Sequence, residues 1–142
     1  MGKINFFNFD TGYQLKNKRK IRKWALEVLR REKKPDIDSV NIIVCSDKYL
    51  LEINRKYLQH DYLTDIITFT YSLADNSLEG ELYISIERVK ENSKDLEIAL
   101  ELELHRVIVH GILHLCGYND KRKEEKEFMR KLENRYLQLI DW

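Results

Sequence analysis

Apolar and polar positions along the chain follow two periods, which divide the sequence into predicted strands and helices. Alternation of apolar with polar residues, or a short unbroken apolar run, predicts a strand, whereas apolar residues at i, i+3, i+4 and i+7 predict a helix with one buried face. The strand pattern occurs at residues 3–9, 39–45, 64–71 and 81–86. The helical pattern occurs at residues 16–33, from a cap at Ser46 or Asp47 to Tyr57, at 86–93, at about 96–116 and at 121–138.

The order of these elements predicts the fold class. Pro35 ends the first helix, and the polar stretch Ala74–Gly80 predicts a turn that can join the strands at 64–71 and 81–86 as a hairpin. Strands and helices in mixed order predict an α+β fold with a single four-stranded mixed sheet, about five packed helices and one domain over residues 1–142. The helix at 96–116 should be largely buried, because apolar side chains nearly surround it.

Composition narrows the class of protein. Of the 142 residues 43% are apolar, and one Pro and five Gly occur, as expected for an ordered globular chain. No apolar run approaches the roughly 20 residues of a membrane span, and the first residues lack the long apolar stretch of a secretory signal. We expect Cys45 and Cys116 to be buried thiols rather than a disulfide framework, and the protein to be cytoplasmic.

The formal net charge of +1 conceals a strongly basic segment. Between Lys16 and Lys34 ten basic residues are opposed by Glu27 and Glu32 alone. Such a helix suits a partner with a phosphate backbone. A solvated outer helix face explains the same pattern equally well, and composition leaves both interpretations open.

The residue pattern at His110, His114, Gly117 and Asp120 predicts a metal site. Two histidines four residues apart share one helix face, so both imidazoles can reach the same ion. Gly117 can end the helix in a left-handed conformation, and Asp120 can then supply a third ligand from another direction. Three protein ligands leave one coordination position open, as in catalytic zinc sites.

Simpler interpretations of these residues remain possible at the level of sequence. The two histidines can be half-buried helix residues without a metal, and Asp120 can cap the following helix. Peptidase chemistry is disfavoured, because zinc peptidases carry a general-base Glu next to the first His, where this chain has Gly111. His105 lies on another part of the helix surface, and we expect it to be structural.

Three sequence blocks, in the same order and spacing, resemble the YbeY family of rRNA maturation factors, which are metal-dependent endoribonucleases. The family motif His-Gly-x-Leu-His-Leu-x-Gly-Tyr is matched by residues 110–118. The other two blocks are matched by Asn54, Tyr57, Asp61, Thr64, Asp65, Ile66, Ile67, Thr68 and Phe69, and by Gly80–Ser85. The resemblance implies a fold that agrees with the predicted strands and helices.

The chain departs from the family pattern at two functional positions. Asp120 stands where the family has its third metal histidine, and the position-by-position match carries the ligand role onto it. One divalent ion, Zn²⁺ by this reading, would then be held by His110, His114 and Asp120, although two His and a carboxylate also suit non-haem iron. Leu58 stands where the family has a functional arginine. Arg55, one turn earlier, and His60, where the family has Lys, are the candidate catalytic substitutes.

The resemblance implies cleavage of single-stranded RNA in 16S rRNA 3′-end maturation and ribosome quality control. The expected partners are rRNA and the small ribosomal subunit, with no membrane, and a ribosomal protein or a GTPase is compatible with this role. The loss of the family arginine keeps a second function open, a ribosome-associated RNA-binding factor with a mainly structural metal. A metal-dependent hydrolase of peptides or small molecules is weaker because of Gly111.

Overall fold

The computed structural model describes residues 4–33, 37–71 and 78–139. The predicted turn residues 74–77 and Pro35 lie outside these ranges. The elements run in chain order as β1 (Ile4–Phe9), α1 (Lys18–Arg31), β2 (Ile37–Cys45), α2 (Asp47–Leu58), β3 (Ile66–Tyr71), β4 (Leu78–Ser85), α3 (Ile86–Leu96), α4 (Leu100–Leu115) and α5 (Lys123–Leu137). Four strands and five helices over the described ranges confirm the predicted α+β class.

The four strands form one mixed sheet in the order β1-β2-β4-β3. β1, β2 and β4 are parallel neighbours, and β3 pairs antiparallel with β4. The expected pairing of the last two strands is therefore confirmed. Parallel neighbours need long crossover connections, and α1 fills the connection from β1 to β2.

Helix α4 packs on one face of this sheet and fixes where its histidines lie. Its side chains Leu104, Ile108 and Ile112 are almost fully buried against the apolar sheet residues Leu82 and Ile84. The helix also contacts α3, α5 and the strands β3 and β4. The expectation that this helix is largely buried is confirmed.

Three element boundaries differ from the sequence prediction for local reasons. α3 continues to Leu96 and α4 begins only at Leu100, because Glu97 takes a left-handed conformation (φ 56°) and its N–H bonds back to α3. Ser46, rather than Asp47, caps α2, since its side chain accepts a hydrogen bond from the N–H of Tyr49. β3 starts at Ile66, two residues later than predicted.

The two cysteines and the helix lengths complete the comparison with the sequence. Neither cysteine forms a disulfide; Cys45 is buried as expected, whereas Cys116 is only half-buried. Burial raises the pKa of the Cys45 thiol to about 12, with smaller contributions from Asp47 and Asp10. Among the residues described, every helix is too short or too polar to cross a membrane.

Gly111 lets α4 approach the sheet closely. A Cβ at this position would lie 2.6 Å from Cδ1 of Ile66 and 2.9 Å from Cδ2 of Leu82. The same residue therefore removes the general base of a zinc peptidase and allows the helix to pack flat on β3 and β4.

We predict that Gly111→Glu, which restores the His-Glu-x-x-His spacing, destabilises the protein instead of creating a peptidase. The substitution would force a carboxylate against Ile66 and Leu82, and burying an unpaired charge costs at least about 3 kcal/mol. The free energy of unfolding, measured with urea, tests this expectation. Leu102→Glu is the matched control, because Leu102 is exposed on the same helix and the change there should cost little. Equal stability of the two variants would contradict the packing argument.

Candidate metal centre

The two histidines lie in the last turns of α4, and the chain reverses directly after them. α4 ends at Leu115, and Gly117 adopts φ +104°, a conformation that favours glycine. The N–H groups of Gly117 and Tyr118 donate to the carbonyls of His114 (3.0 Å) and Leu113 (3.1 Å). This closure of the helix end carries Asp120 back towards the imidazoles.

Three potential ligand atoms converge in the space next to this turn. Nε2 of His110 lies 3.0 Å from Nε2 of His114, and Oδ2 of Asp120 lies 3.2 Å and 3.4 Å from the same two atoms. Ligands about 2.0–2.1 Å from a tetrahedral zinc ion are about 3.3 Å from one another. The three separations therefore fit one face of a zinc coordination tetrahedron. They are the one His/Cys/Asp/Glu group in the described ranges whose ligand atoms cluster closely enough for this.

The other ring nitrogen of each histidine is fixed by a hydrogen bond. Nδ1–H of His110 donates to Oε2 of Glu133 (2.6 Å), and Nδ1–H of His114 donates to the carbonyl of Tyr118 (2.8 Å). Carboxylate and carbonyl oxygens can only accept here, so the proton lies on Nδ1 and each Nε2 turns its lone pair towards Asp120. Partners of this kind set the tautomer and orientation of metal-binding histidines.

Glu133 is held in place by its own contacts on α5. Its side chain is 6% exposed, and Oε1 lies 3.0 Å from Nη1 of Arg106 and 3.7 Å from Nη1 of Arg130. Sequence reasoning missed this residue. Its position was detectable, because α5 buries Met129, Leu132 and Tyr136 and a glutamate within that buried face needs a partner.

The charges around His110 favour a cation at the site. Burial opposes a charged His110, but the hydrogen bond to Glu133 and the charges of Glu133, Asp120 and Asp65 raise the pKa of its imidazole. Burial acts to raise the pKa of Glu133, but its bonds to His110 and Arg106 outweigh this and lower it. Glu133 is thus ionised, and the site attracts positive charge, whether a proton or a metal ion.

A glutamate at the end of α1 fastens the ligand loop from behind. The Tyr118 hydroxyl donates to Oε1 of Glu32 (2.5 Å), and the Tyr136 hydroxyl donates to the other oxygen of the same carboxylate. The bond to Glu32, followed by burial, raises the pKa of Tyr118 to about 12. Three separate elements therefore hold the loop that carries Asp120.

A cavity of about 270 Å³ opens beside His110 and Asp120. It lies between α4, α5 and the start of β3, and its polar lining includes Asp65, Glu103, Arg106, Lys126, Arg130 and Glu133. Burial raises the pKa of both Asp65 and Glu103, and Nδ2 of Asn92 donates to Asp65 (3.2 Å). The side of the ligand cluster that faces this cavity has room for a substrate group.

Comparison with known proteins identifies the chain. The family model described as endoribonuclease YbeY matches residues 5–141. The chain belongs to the endoribonuclease YbeY family. The endoribonuclease YbeY of Cytophaga hutchinsonii is 48% identical over 136 residues, which cover 96% of this chain and 94% of that protein. The corresponding protein of Bacteroides fragilis strain ATCC 25285 is 51% identical over 120 residues, covering 84% and 85% of the two chains.

The fold comparison agrees with the YbeY assignment. A solution structure of a protein from Thermotoga maritima matches with a TM-score of 0.65 and 26% identity, covering 95% of this chain and 87% of that one. The family resemblance drawn from three sequence blocks is confirmed. The expected enzyme class, a hydrolytic endoribonuclease, is that of the YbeY family.

The structure places the two candidate substitutes for the YbeY arginine away from the cavity. Arg55 forms an ion pair with Asp61, and both side chains are more than half exposed. The Tyr62 hydroxyl lies 3.0 Å from Nδ1 of His60, which is also exposed. Neither Arg55 nor His60 lines the cavity beside His110. Their catalytic roles stay predictions.

Two further sequence interpretations can be compared with the structure. The N-cap of α5 is Arg122, so the alternative that Asp120 caps this helix is wrong. His105 is buried with its ring 6.2 Å from that of Trp24, and burial lowers its pKa to about 4. A neutral His105 packed beside Trp24 agrees with the structural role expected for it.

The basic segment of α1 is partly neutralised within the helix. Arg30 and Arg31 both pair with Glu27 at 2.6–2.8 Å, and Lys16 lies 3.8 Å from Glu101. These exposed pairs contribute little to stability. They leave open both interpretations of the segment, a surface for a phosphate backbone and a solvated helix face.

We predict that Glu133→Gln weakens metal binding while the protein stays folded. The amide cannot supply the negative charge that orients and polarises His110, and loss of such a partner typically costs about 10- to 100-fold in metal affinity. Zinc titration in competition with a chromophoric chelator measures the change. Glu127→Gln, on the exposed face of the same helix, should bind zinc like the parent chain. Equal zinc affinity for the two variants would remove Glu133 from the metal centre.

Proposed function

We propose that this protein is a metal-dependent endoribonuclease that cuts single-stranded RNA. Its substrate in this proposal is the 3′ end of maturing 16S rRNA, and its place of action is the small ribosomal subunit in the cytoplasm, in rRNA maturation and ribosome quality control. Membership of the YbeY family supports the endoribonuclease activity. The observation that carries the metal dependence is the set of three converging ligand atoms beside a cavity.

The residues of the site fit a divalent metal ion. His110, His114 and Asp120 would hold it, and Zn²⁺ suits two imidazole nitrogens and one carboxylate oxygen. When bound, such an ion polarises a phosphoryl oxygen and lowers the pKa of water. A carboxylate in place of a third imidazole reduces the net charge of the centre by one unit, which weakens both effects.

The remaining cavity residues can position RNA and handle protons. Lys126 and Arg130 lie four residues apart on α5, so both project from the same helix face towards the cavity mouth. Their charges suit the phosphates that flank a cleavage site. Asp65 and Glu103, whose pKa values are raised by burial, are candidate groups for accepting or donating a proton within the cavity.

The structure also supports a catalytic rather than a structural role for the ion. The two imidazoles and the Asp120 side chain are each about one quarter to one third exposed, at 24%, 23% and 36%. The main apolar core contains none of the three. A metal that is needed for folding normally replaces a missing core, and this chain has a large one. The alternative of an RNA-binding factor rests on Leu58, which is 39% exposed and cannot bind a phosphate.

We expect His114→Ala and Asp120→Ala to abolish both stoichiometric zinc binding and cleavage of single-stranded RNA. Each change removes one of three ligands, so the ion loses its fixed position. Elemental analysis and an RNA cleavage assay measure the two properties. Asp95→Ala, an exposed carboxylate on α3, is the control that should retain both.

Removal of the metal separates the two functions. For the endoribonuclease, chelation should stop cleavage while circular dichroism shows an intact fold, and added Zn²⁺ should restore activity. Unfolding on chelation would favour the binding factor with a structural metal. Cleavage that continues in a folded, metal-free protein would refute the proposed mechanism.

A further inference from the structure

The face of the sheet opposite α4 carries a second cavity that the proposed reaction does not use. Alternate residues of a strand point to opposite faces. Leu82 and Ile84 of β4 join the main core, whereas Cys45 and Ile67 pack with Leu50 and Ile53 of α2 in a separate cluster. α2 therefore covers part of this face, and aromatic side chains line the space at its edge.

This aromatic cavity has a volume of about 220 Å³. Five aromatic side chains and one carboxylate surround it: Tyr49, Tyr57, Phe69, Tyr71, Tyr83 and Glu81. Phe69 is central, since its ring meets those of Tyr57 (6.1 Å) and Tyr83 (5.8 Å) nearly at right angles. Tyr57 is 61% exposed, so the cavity opens to solvent on that side.

The carboxylate of the aromatic cavity lacks a cationic partner. Oε1 of Glu81 accepts hydrogen bonds from the hydroxyls of Tyr71 (3.2 Å) and Tyr83 (3.4 Å). No ion pair to Glu81 occurs within residues 4–33, 37–71 and 78–139. A partly buried carboxylate satisfied only by neutral donors attracts positive charge.

The electrostatic surroundings of the tyrosines are also negative. Burial is the main cause that raises the pKa of Tyr49, Tyr71 and Tyr83, the last to about 12. The charged carboxylates that add to these shifts are Glu52, Glu79 and Glu81. Negative potential of this kind repels the phosphates of a nucleic acid and favours a cation.

Aromatic rings around a carboxylate form a known type of cation-binding site. An ammonium or guanidinium group over a ring face is stabilised by about 0.5–1 kcal/mol at exposed sites and by more when water is excluded. One ring of the aromatic cavity already attracts a cation from this chain, since Nζ of Lys56 lies 5.4 Å from the centre of the Tyr57 ring.

We propose that the aromatic cavity is a docking site for a lysine or arginine side chain of a basic partner protein. The rings would contact the methylene groups and the charged head of this side chain, and Glu81 would neutralise its charge. The site is separate from the metal centre, because none of its residues lines the cavity beside His110. The proposal therefore does not depend on the proposed RNA cleavage.

Titration of the metal-loaded protein with small probes tests this proposal. N-acetyl-arginine amide and N-acetyl-lysine amide should shift the NMR signals of the Tyr57, Phe69 and Tyr83 rings in a saturable manner at millimolar concentration. N-acetyl-norleucine amide, which has a neutral aliphatic side chain, should not shift them at the same concentration. Added salt should weaken the binding of the two cationic probes.

Two variants test the assigned residues. Glu81→Gln keeps an acceptor for the tyrosine hydroxyls but removes the charge, and should weaken arginine amide binding about fivefold. Tyr57→Leu should weaken it about two- to fivefold. Tyr62→Leu is the matched control, because Tyr62 is 55% exposed and lies outside the aromatic cavity; its affinity should equal that of the parent chain.

Several results would overturn the proposal. Equal shifts with norleucine amide would show that the cavity is merely apolar. Shifts with a short single-stranded RNA but none with arginine amide would assign the face to nucleic acid. Unchanged affinity in both Glu81→Gln and Tyr57→Leu, or the absence of any shift up to the solubility of the cationic probes, would also contradict it.

Discussion

Two imidazole nitrogens 3.0 Å apart, both with their lone pairs turned inward, are stable only when positive charge lies between them and the neighbouring carboxylate. The hydrogen bonds to Glu133 and to the Tyr118 carbonyl create this constraint, because they place the proton of each ring on Nδ1. A proton on one ring relieves the repulsion for a single pair of atoms. A divalent cation relieves it for all three ligand atoms at once. The local geometry thus explains why the site selects a metal.

Much of the fold can be understood as support for that geometry. Gly111 allows α4 to lie against β3 and β4, which fixes the height of both histidines above the sheet. Gly117 reverses the chain so that Asp120 returns to the end of α4. Glu32 holds Tyr118, and α5 supplies Glu133. The ligands therefore come from 11 consecutive positions, whereas their orientation depends on residues up to 86 positions away from the ligand loop.

The sequence predicted what short-range patterns determine. The i, i+4 spacing of His110 and His114 and the glycine that follows them specify a helix end with three ligands nearby, and the structure brings their atoms together. It did not predict Glu133, Arg106 or the cavity, since these depend on how α5 packs on α4. The aromatic cavity was missed for the same reason, as its residues are separated in sequence and meet only when α2, β3 and β4 assemble. The break between α3 and α4 was missed because a left-handed Glu97 has no clear sequence signal.

The coordination of the ion is the most direct test of the central claim that two imidazoles and one carboxylate hold a metal with an open position. X-ray absorption spectroscopy of the zinc-loaded protein measures the number, type and distance of the ligands. We predict about two nitrogen ligands with imidazole scattering, one carboxylate oxygen and one further light atom from solvent, all at about 2.0–2.1 Å. A spectrum unchanged by Asp120→Ala, or one with sulfur at about 2.3 Å, would show that the ion is bound elsewhere.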